Sequence, residues 1–126
     1  MPGRELALEL LAAAESDLKA LRHMLDRSAF DDGIFGFHAQ QSVEKTLKAW
    51  LNLLGHSHPF THDLSLLLSA IDEAGADVDD CWDFLDLSGF ATRFRYEILP
   101  EGEEPLERER LIERVQNLMA RVRASL

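Results

Sequence analysis

Residues able to do chemistry gather in three stretches of this chain. The first is Phe37-His-Ala-Gln-Gln-Ser-Val-Glu-Lys-Thr-Leu-Lys48. His38, Gln41, Lys45 and Lys48 recur at steps of three, four and three, which places them on one stripe of a helix. Gln40 and Glu44 fall on the neighbouring apolar stripe with Phe37, Leu47 and Leu51. Polar groups beside a core are costly unless paired. Two readings follow: they bond to an Arg or Tyr of another helix, or they line a polar cleft or subunit contact. The second stretch is Thr92-Arg-Phe-Arg-Tyr96. Arg93 and Arg95 point to different sides of a helix, and a guanidinium fork suits a carboxylate or a phosphate. They either compensate nearby acids or offer an anion contact beside Tyr96.

The third stretch, His56-Ser-His-Pro-Phe-Thr-His62, places three histidines within seven residues. No cysteine stands near them and a helical His-Glu-x-x-His pattern is missing, so no metal site is expected. Thr61 or Asp63 suits a helix cap, and His62 is placed to bond across to a neighbouring helix. Cys81 lies among acids, which raise a thiol pKa, so it makes a poor nucleophile. The seven glycines are scattered and match no phosphate-binding loop. No cofactor is expected.

The elements that must hold these residues read as helices. Ala7, Leu11, Ala14, Leu18, Leu21 and Leu25 mark a helix over residues 4–27. Asp31 or Asp32 caps a second, which runs to about Leu54 and stops at Gly55. A short third helix covers 63–74, with Leu64, Leu67, Leu68 and Ile71 inward and Gly75 at its end. A fourth spans 79–97, with Phe84, Leu87, Ala91 and Phe94 on one stripe. The polar link Leu99-Pro-Glu-Gly-Glu-Glu104 follows. The fifth helix begins near Pro105, which suits a first turn, and buries Leu111, Val115, Leu118 and Val122. No segment alternates long enough to be a strand. The expectation is an all-α, up-and-down bundle of four long helices and one short one, a single domain over residues 1–126.

Composition bounds the function. The chain has 126 residues, is 46% hydrophobic and carries a net charge of −10. Duplex DNA binding draws on many Lys and Arg to neutralise phosphates, so a duplex DNA partner is not expected. Residues 77–107 hold ten acids against Arg93 and Arg95, which is −8 of the −10. Such a window is either a solvated face or an attraction for a basic partner. No run of about 18 uncharged apolar residues is present, so no membrane span is expected. With no signal peptide visible and a lone cysteine, the expected setting is cytoplasmic. Helix two also carries Ile34, Phe35, Val43 and Trp50 beyond its main stripe. That surplus suggests a homodimer, the commonest soluble oligomer.

The runs Phe37–Ala49, Thr61-His-Asp-Leu64 and Arg93-Phe-Arg-Tyr96 together resemble the HEPN domain family. The resemblance spans residues 5–123. It implies an all-helical bundle, frequent homodimers and, among small prokaryotic members, pairing with a minimal nucleotidyltransferase in a toxin–antitoxin arrangement. It also implies that many members are ribonucleases, presenting an Arg, four to six residues, then a His at a dimer cleft. No histidine follows Arg93 in this sequence. Tyr96 does not match the tyrosine that such nucleotidyltransferases modify, which lies two positions beyond that histidine. The expected function is therefore a non-catalytic HEPN partner of a nucleotidyltransferase. It would bind a nucleotide or RNA through His38, Gln41, Glu44, Lys45, Lys48, His62, Arg93, Arg95 and Tyr96. The alternative is a diverged ribonuclease in which His38 or His62 replaces the missing histidine.

Overall fold

The computed structural model describes residues 2–87 and 105–126, and these residues are helical with no strand among them. Among the described residues four α-helices are formed: α1 (Pro2–His23), α2 (Asp32–Leu53), α3 (Leu64–Glu73) and α4 (Arg108–Arg123). A 3-10 helix, Trp82–Leu87, lies between α3 and α4.

Local chemistry sets the helix ends. Asp31 caps α2 by accepting from the Ile34 amide at 2.9 Å, and Asp63 caps α3 by accepting from Ser65 N at 2.9 Å. Both helices stop at a glycine in the left-handed region, Gly55 with φ 88° and Gly75 with φ 98°. At each stop the next two amides turn back onto the last turn. Gly55 and His56 donate to the Asn52 and Leu51 carbonyls, and Gly75 and Ala76 to those of Asp72 and Ile71. This closure satisfies carbonyls that a helix end otherwise leaves unpaired.

α1 and α2 run antiparallel, with Asp17 against His38, Ala14 against Ser42 and Gly3 against Asn52. At the last crossing the backbones nearly touch. A Cβ on Gly3 would sit 2.8 Å from the Asn52 carbonyl oxygen, so only glycine fits there. α4 runs parallel to α2: Arg108 stacks on Phe35 and Arg121 on Trp50, at 5.0 and 5.8 Å from the ring centres. One core joins Ala7, Leu11, Leu18 and Leu21 of α1 to Leu64, Leu67, Leu68 and Ile71 of α3. It also takes in Phe84 and Leu87, together with Val115, Leu118 and Val122 of α4.

α2 is the central helix. Phe35, Ala39, Val43, Leu47, Trp50 and Leu51 are all buried on one broad side, and the polar Gln40, Ser42, Glu44 and Thr46 beyond them are buried as well. Burial that extends past the apolar face marks an interior helix. The surplus of Phe35, Val43 and Trp50, read from sequence as a dimer face, is thus consumed inside the chain. Ile34 and Phe37 are half-buried.

Three boundaries differ from the expected ones. α1 ends at His23, and Leu25 is exposed rather than part of the buried stripe. α4 begins at Arg108, not at Pro105. The reason is shared. The buried Arg108 guanidinium donates to the Met24 and Phe30 carbonyls, each at 2.6 Å, and to Asp32 Oδ1 at 3.0 Å. Asp32 also accepts from the Leu106 amide at 3.0 Å. These bonds hold residues 24–30 and 106 out of helical register. The third difference is that residues 82–87, expected inside a long fourth helix, form a 3-10 helix. Ala91, Phe94 and the remainder of that expected helix lie outside the described residues.

Arg108 is only 3% exposed, so its removal strands the Met24 and Phe30 carbonyls in the interior and leaves Asp32 to Arg27 and the Leu106 amide. Arg108→Ala should lower the unfolding free energy by about 3–5 kcal/mol, the range for breaking a buried ion pair. Urea denaturation measures it. A loss below about 1 kcal/mol, the scale of a surface pair, would remove Arg108 as the tie between these helix ends.

Candidate functional site

The polar stripe of α2 divides between two carboxylates. Asp17, on the edge of the α1 stripe, receives Lys45 Nζ at 2.6 Å and lies 3.4 Å from His38 Nδ1. Lys45 and His38 are therefore held against α1. Glu44, whose side chain is 4% exposed, receives Lys48 Nζ at 3.1 Å and has His62 Nδ1 at 3.0 Å. Gln41 donates to the Gln40 side chain at 3.2 Å. Gln40 in turn donates to Glu44 Oε1 at 3.1 Å and to the His62 carbonyl at 3.2 Å. Among the described residues, then, Gln40 and Glu44 take partners from α2 itself and from the loop before α3. Arg93, Arg95 and Tyr96, expected opposite them, lie outside the described residues.

Glu44 orients the His62 ring. A carboxylate only accepts, so Nδ1 carries a proton in this contact and Nε2 is the ring nitrogen left away from Glu44. The His62 side chain is 80% exposed, while the carboxylate behind it is buried. The expectation that His62 bonds across to a neighbouring helix is met by this contact.

His58 anchors the other end of the loop. Asn52 Nδ2 donates to the Lys48 carbonyl and lies 2.8 Å from His58 Nδ1. With the amide as donor, Nδ1 must accept, which a protonated ring cannot do. Burial, and then the charge of Lys48, hold the His58 pKa below its usual 6.5, against an opposing pull from Glu44. Sequence reading treated His58 as a loop residue. Its signal is the pair Asn52 and His58 flanking the Gly55 stop. The three loop histidines do not converge, and among the described residues no three His, Cys, Asp or Glu gather to hold a metal ion.

Two acids of the described part of the acidic window are paired from α4. Arg121 bonds to Asp80, and Arg114 to Asp83 at 2.5 Å. The Arg121 hydrogen bond draws the Asp80 pKa down. Cys81 is buried beside this pair. Burial, then the hydrogen bond and charge of Asp80, push its thiol up to about 11.

A family model for the HEPN domain matches residues 7–125. This chain belongs to the HEPN family. The match covers nearly the whole chain, and the all-helical structure agrees with it. No curated protein and no solved structure is matched by this HEPN chain. Among the described residues no helix is long and apolar enough to cross a membrane.

Two measurements check the electrostatics. A depressed histidine pKa favours the neutral ring in the folded state. Its stabilisation is present above pH 6.5 and is lost as pH falls through the lower folded value. The urea midpoint should therefore drop on acidification below pH 6.5, and His58→Gln should lessen that drop; an identical pH profile in the variant would rule His58 out. The Cys81 thiol should react with a disulfide reagent at pH 8 at least tenfold more slowly in the native protein than in urea. Equal rates would contradict its burial.

Proposed function

We propose that this chain is a protein-binding HEPN domain that partners a minimal nucleotidyltransferase in a toxin–antitoxin-type pair and does not cleave RNA in the manner usual for HEPN ribonucleases. The reading comprises one up-and-down domain, a homodimer and a cytoplasmic setting. The observation that carries it is the pairing on α2. Lys45 and His38 meet Asp17, and Lys48 and His62 meet Glu44. A nucleotide or RNA phosphate approaching this stripe would have to displace a mostly buried carboxylate from each cation, at a cost that a solvated lysine would not impose. The net charge of −10 acts in the same direction. The sequence also lacks the histidine that would follow Arg93.

One observation favours the ribonuclease alternative. His62 is exposed, oriented by a buried carboxylate and keeps Nε2 toward solvent, which is how a general base is presented. For His38 the Asp17 contact at 3.4 Å is long and shared with Lys45, so His62 is the better candidate of the two.

Co-expression with a minimal nucleotidyltransferase encoded beside it, followed by size-exclusion chromatography, tests the leading reading. The expected result is one co-eluting complex, together with no metal-independent cleavage of single-stranded or structured RNA by the purified chain. Cleavage that falls more than tenfold in His62→Ala, with the fold retained by circular dichroism, would replace this reading with the ribonuclease one.

A further inference from the structure

His58 and His62 stand at the two ends of one arch and use the same ring nitrogen in opposite ways. Within residues 55–63, His58 and Thr61 are half-buried and the others are exposed. Asn52, itself buried, donates from Nδ2 to the Lys48 carbonyl at 2.8 Å, and the same nitrogen lies 2.8 Å from His58 Nδ1. The Lys48 carbonyl only accepts, so it fixes which way the Asn52 amide points. His58 Nδ1 therefore meets an N–H and must accept. At the other end Glu44 only accepts, so His62 Nδ1 must donate, at 3.0 and 3.2 Å to the two carboxylate oxygens.

A proton acts oppositely at the two ends. A charged imidazole carries hydrogen on both nitrogens. On His58 the added proton faces the Asn52 N–H, and the bond is lost. Turning the Asn52 amide over would restore an acceptor to His58 but set the amide oxygen against the Lys48 carbonyl. Burial, and then the charge of Lys48, oppose the protonated ring, while Glu44 favours it. The release therefore sets in on the acid side of the usual 6.5. α1 meets this point through Gly3, against the Asn52 backbone carbonyl. On His62 the added proton goes to Nε2, away from Glu44, and turns the contact into an ion pair. The Gln40 bond to the His62 carbonyl holds that end as well. Among the described residues, the Asn52 contact is the hydrogen bond that ties residues 57–60 to α2.

We infer that the arch from His56 to His62 is a proton-operated hinge: acid frees its His58 end from α2, its His62 end stays on Glu44, and Phe60 passes from a held to a swinging position. Phe60 is fully exposed, so its own packing does not hold it. The opening is local. The Gly55 stop is closed by the Gly55 and His56 amides on the Asn52 and Leu51 carbonyls, and neither histidine ring takes part in it. At the far end the Thr61 amide donates to the Pro59 carbonyl and the Asp63 amide to Thr61 Oγ1, each at 3.0 Å, so the segment next to His62 keeps its shape. One loop thus carries two histidines of opposite response, and the pair sets which end lets go. The inference goes beyond the function proposed above and does not depend on it.

A nitroxide label on Phe60→Cys in the full chain reads the hinge, because the buried Cys81 leaves residue 60 as the reactive thiol. The label should be about twofold more mobile at pH 5 than at pH 7.5, with helicity unchanged by circular dichroism. Adding His58→Gln, which keeps an acceptor for Asn52 but does not titrate, should abolish the rise. Adding His56→Gln, at an exposed histidine of the same loop, should leave it. A rise that persists in His58→Gln, no rise at all, or a loss of helicity over the same pH range would each overturn the hinge. Nitrogen NMR of the imidazole rings tests the premise separately. At pH 7.5 His58 should carry its proton on Nε2 and His62 should be protonated on Nδ1; a proton on His58 Nδ1 would overturn the opposed roles and the hinge with them.

Discussion

Burying the Arg108 guanidinium constrains everything else in this fold. A cation taken out of water needs acceptors on every side, and Arg108 finds them on the backbone after α1 and at the start of α2. Met24 and Phe30 give up their carbonyls, Asp32 gives a carboxylate, and Phe35 lies under the guanidinium plane. One side chain thereby joins the end of α1, the start of α2 and the start of α4. Because α4 is pinned at its first residue, its apolar stripe meets α2 in a single register, with Met119 reaching Ser42 and Arg121 reaching Trp50. Such a pair is weak as a source of stability compared with apolar packing of equal volume, but it is specific. Another register would leave the cation buried without its acceptors.

With most of α2 buried, its polar residues take partners within the protein. Ser42 donates to the Ala14 carbonyl at 3.0 Å and Thr46 to the Ser42 carbonyl at 2.7 Å. Gln40, Glu44, Lys48 and Asn52 extend this toward the loop before α3, where His58 and His62 complete it. The consequence for function is direct. Groups that would suit ligand binding in an exposed helix are here occupied in holding α1 and the loop before α3 in place. What they present to solvent is the loop itself.

The features legible in the sequence were those with a local cause. Asp63 as a cap, Gly55 and Gly75 as stops, and the stripes Ala7–Leu21 and Leu64–Ile71 need only neighbours within one or two turns, and all stand where the spacing placed them. The HEPN resemblance rested on the same kind of run, Phe37–Ala49, and the family match bears it out. What was not legible depends on distant partners. The stripe of α1 continues in sequence to Leu25, but the carbonyl of Met24 belongs to Arg108, 84 residues on. His38 and Lys45 read as one face with Gln41 and Lys48, because nothing local shows that Asp17 claims them. Asp17 gave one sign, an acid set beside Ala14, Leu18 and Leu21 on the edge of a buried stripe.

The distribution of charge then links fold to function. The acids facing α4 are met by Arg114 and Arg121, the cations of α2 by Asp17 and Glu44, and the cap of α3 by its own serine. Each of these charged groups has a partner among its nearest neighbours. Among the described residues, acids without such a partner, Glu5, Glu9, Asp72 and Glu73 among them, face water. Burial of Glu44 removes an acidic charge from the surface beside the His56–His62 loop, because its carboxylate is turned inward to hold His62. The side chain that made α2 look like a ligand site is thus the one that holds the loop.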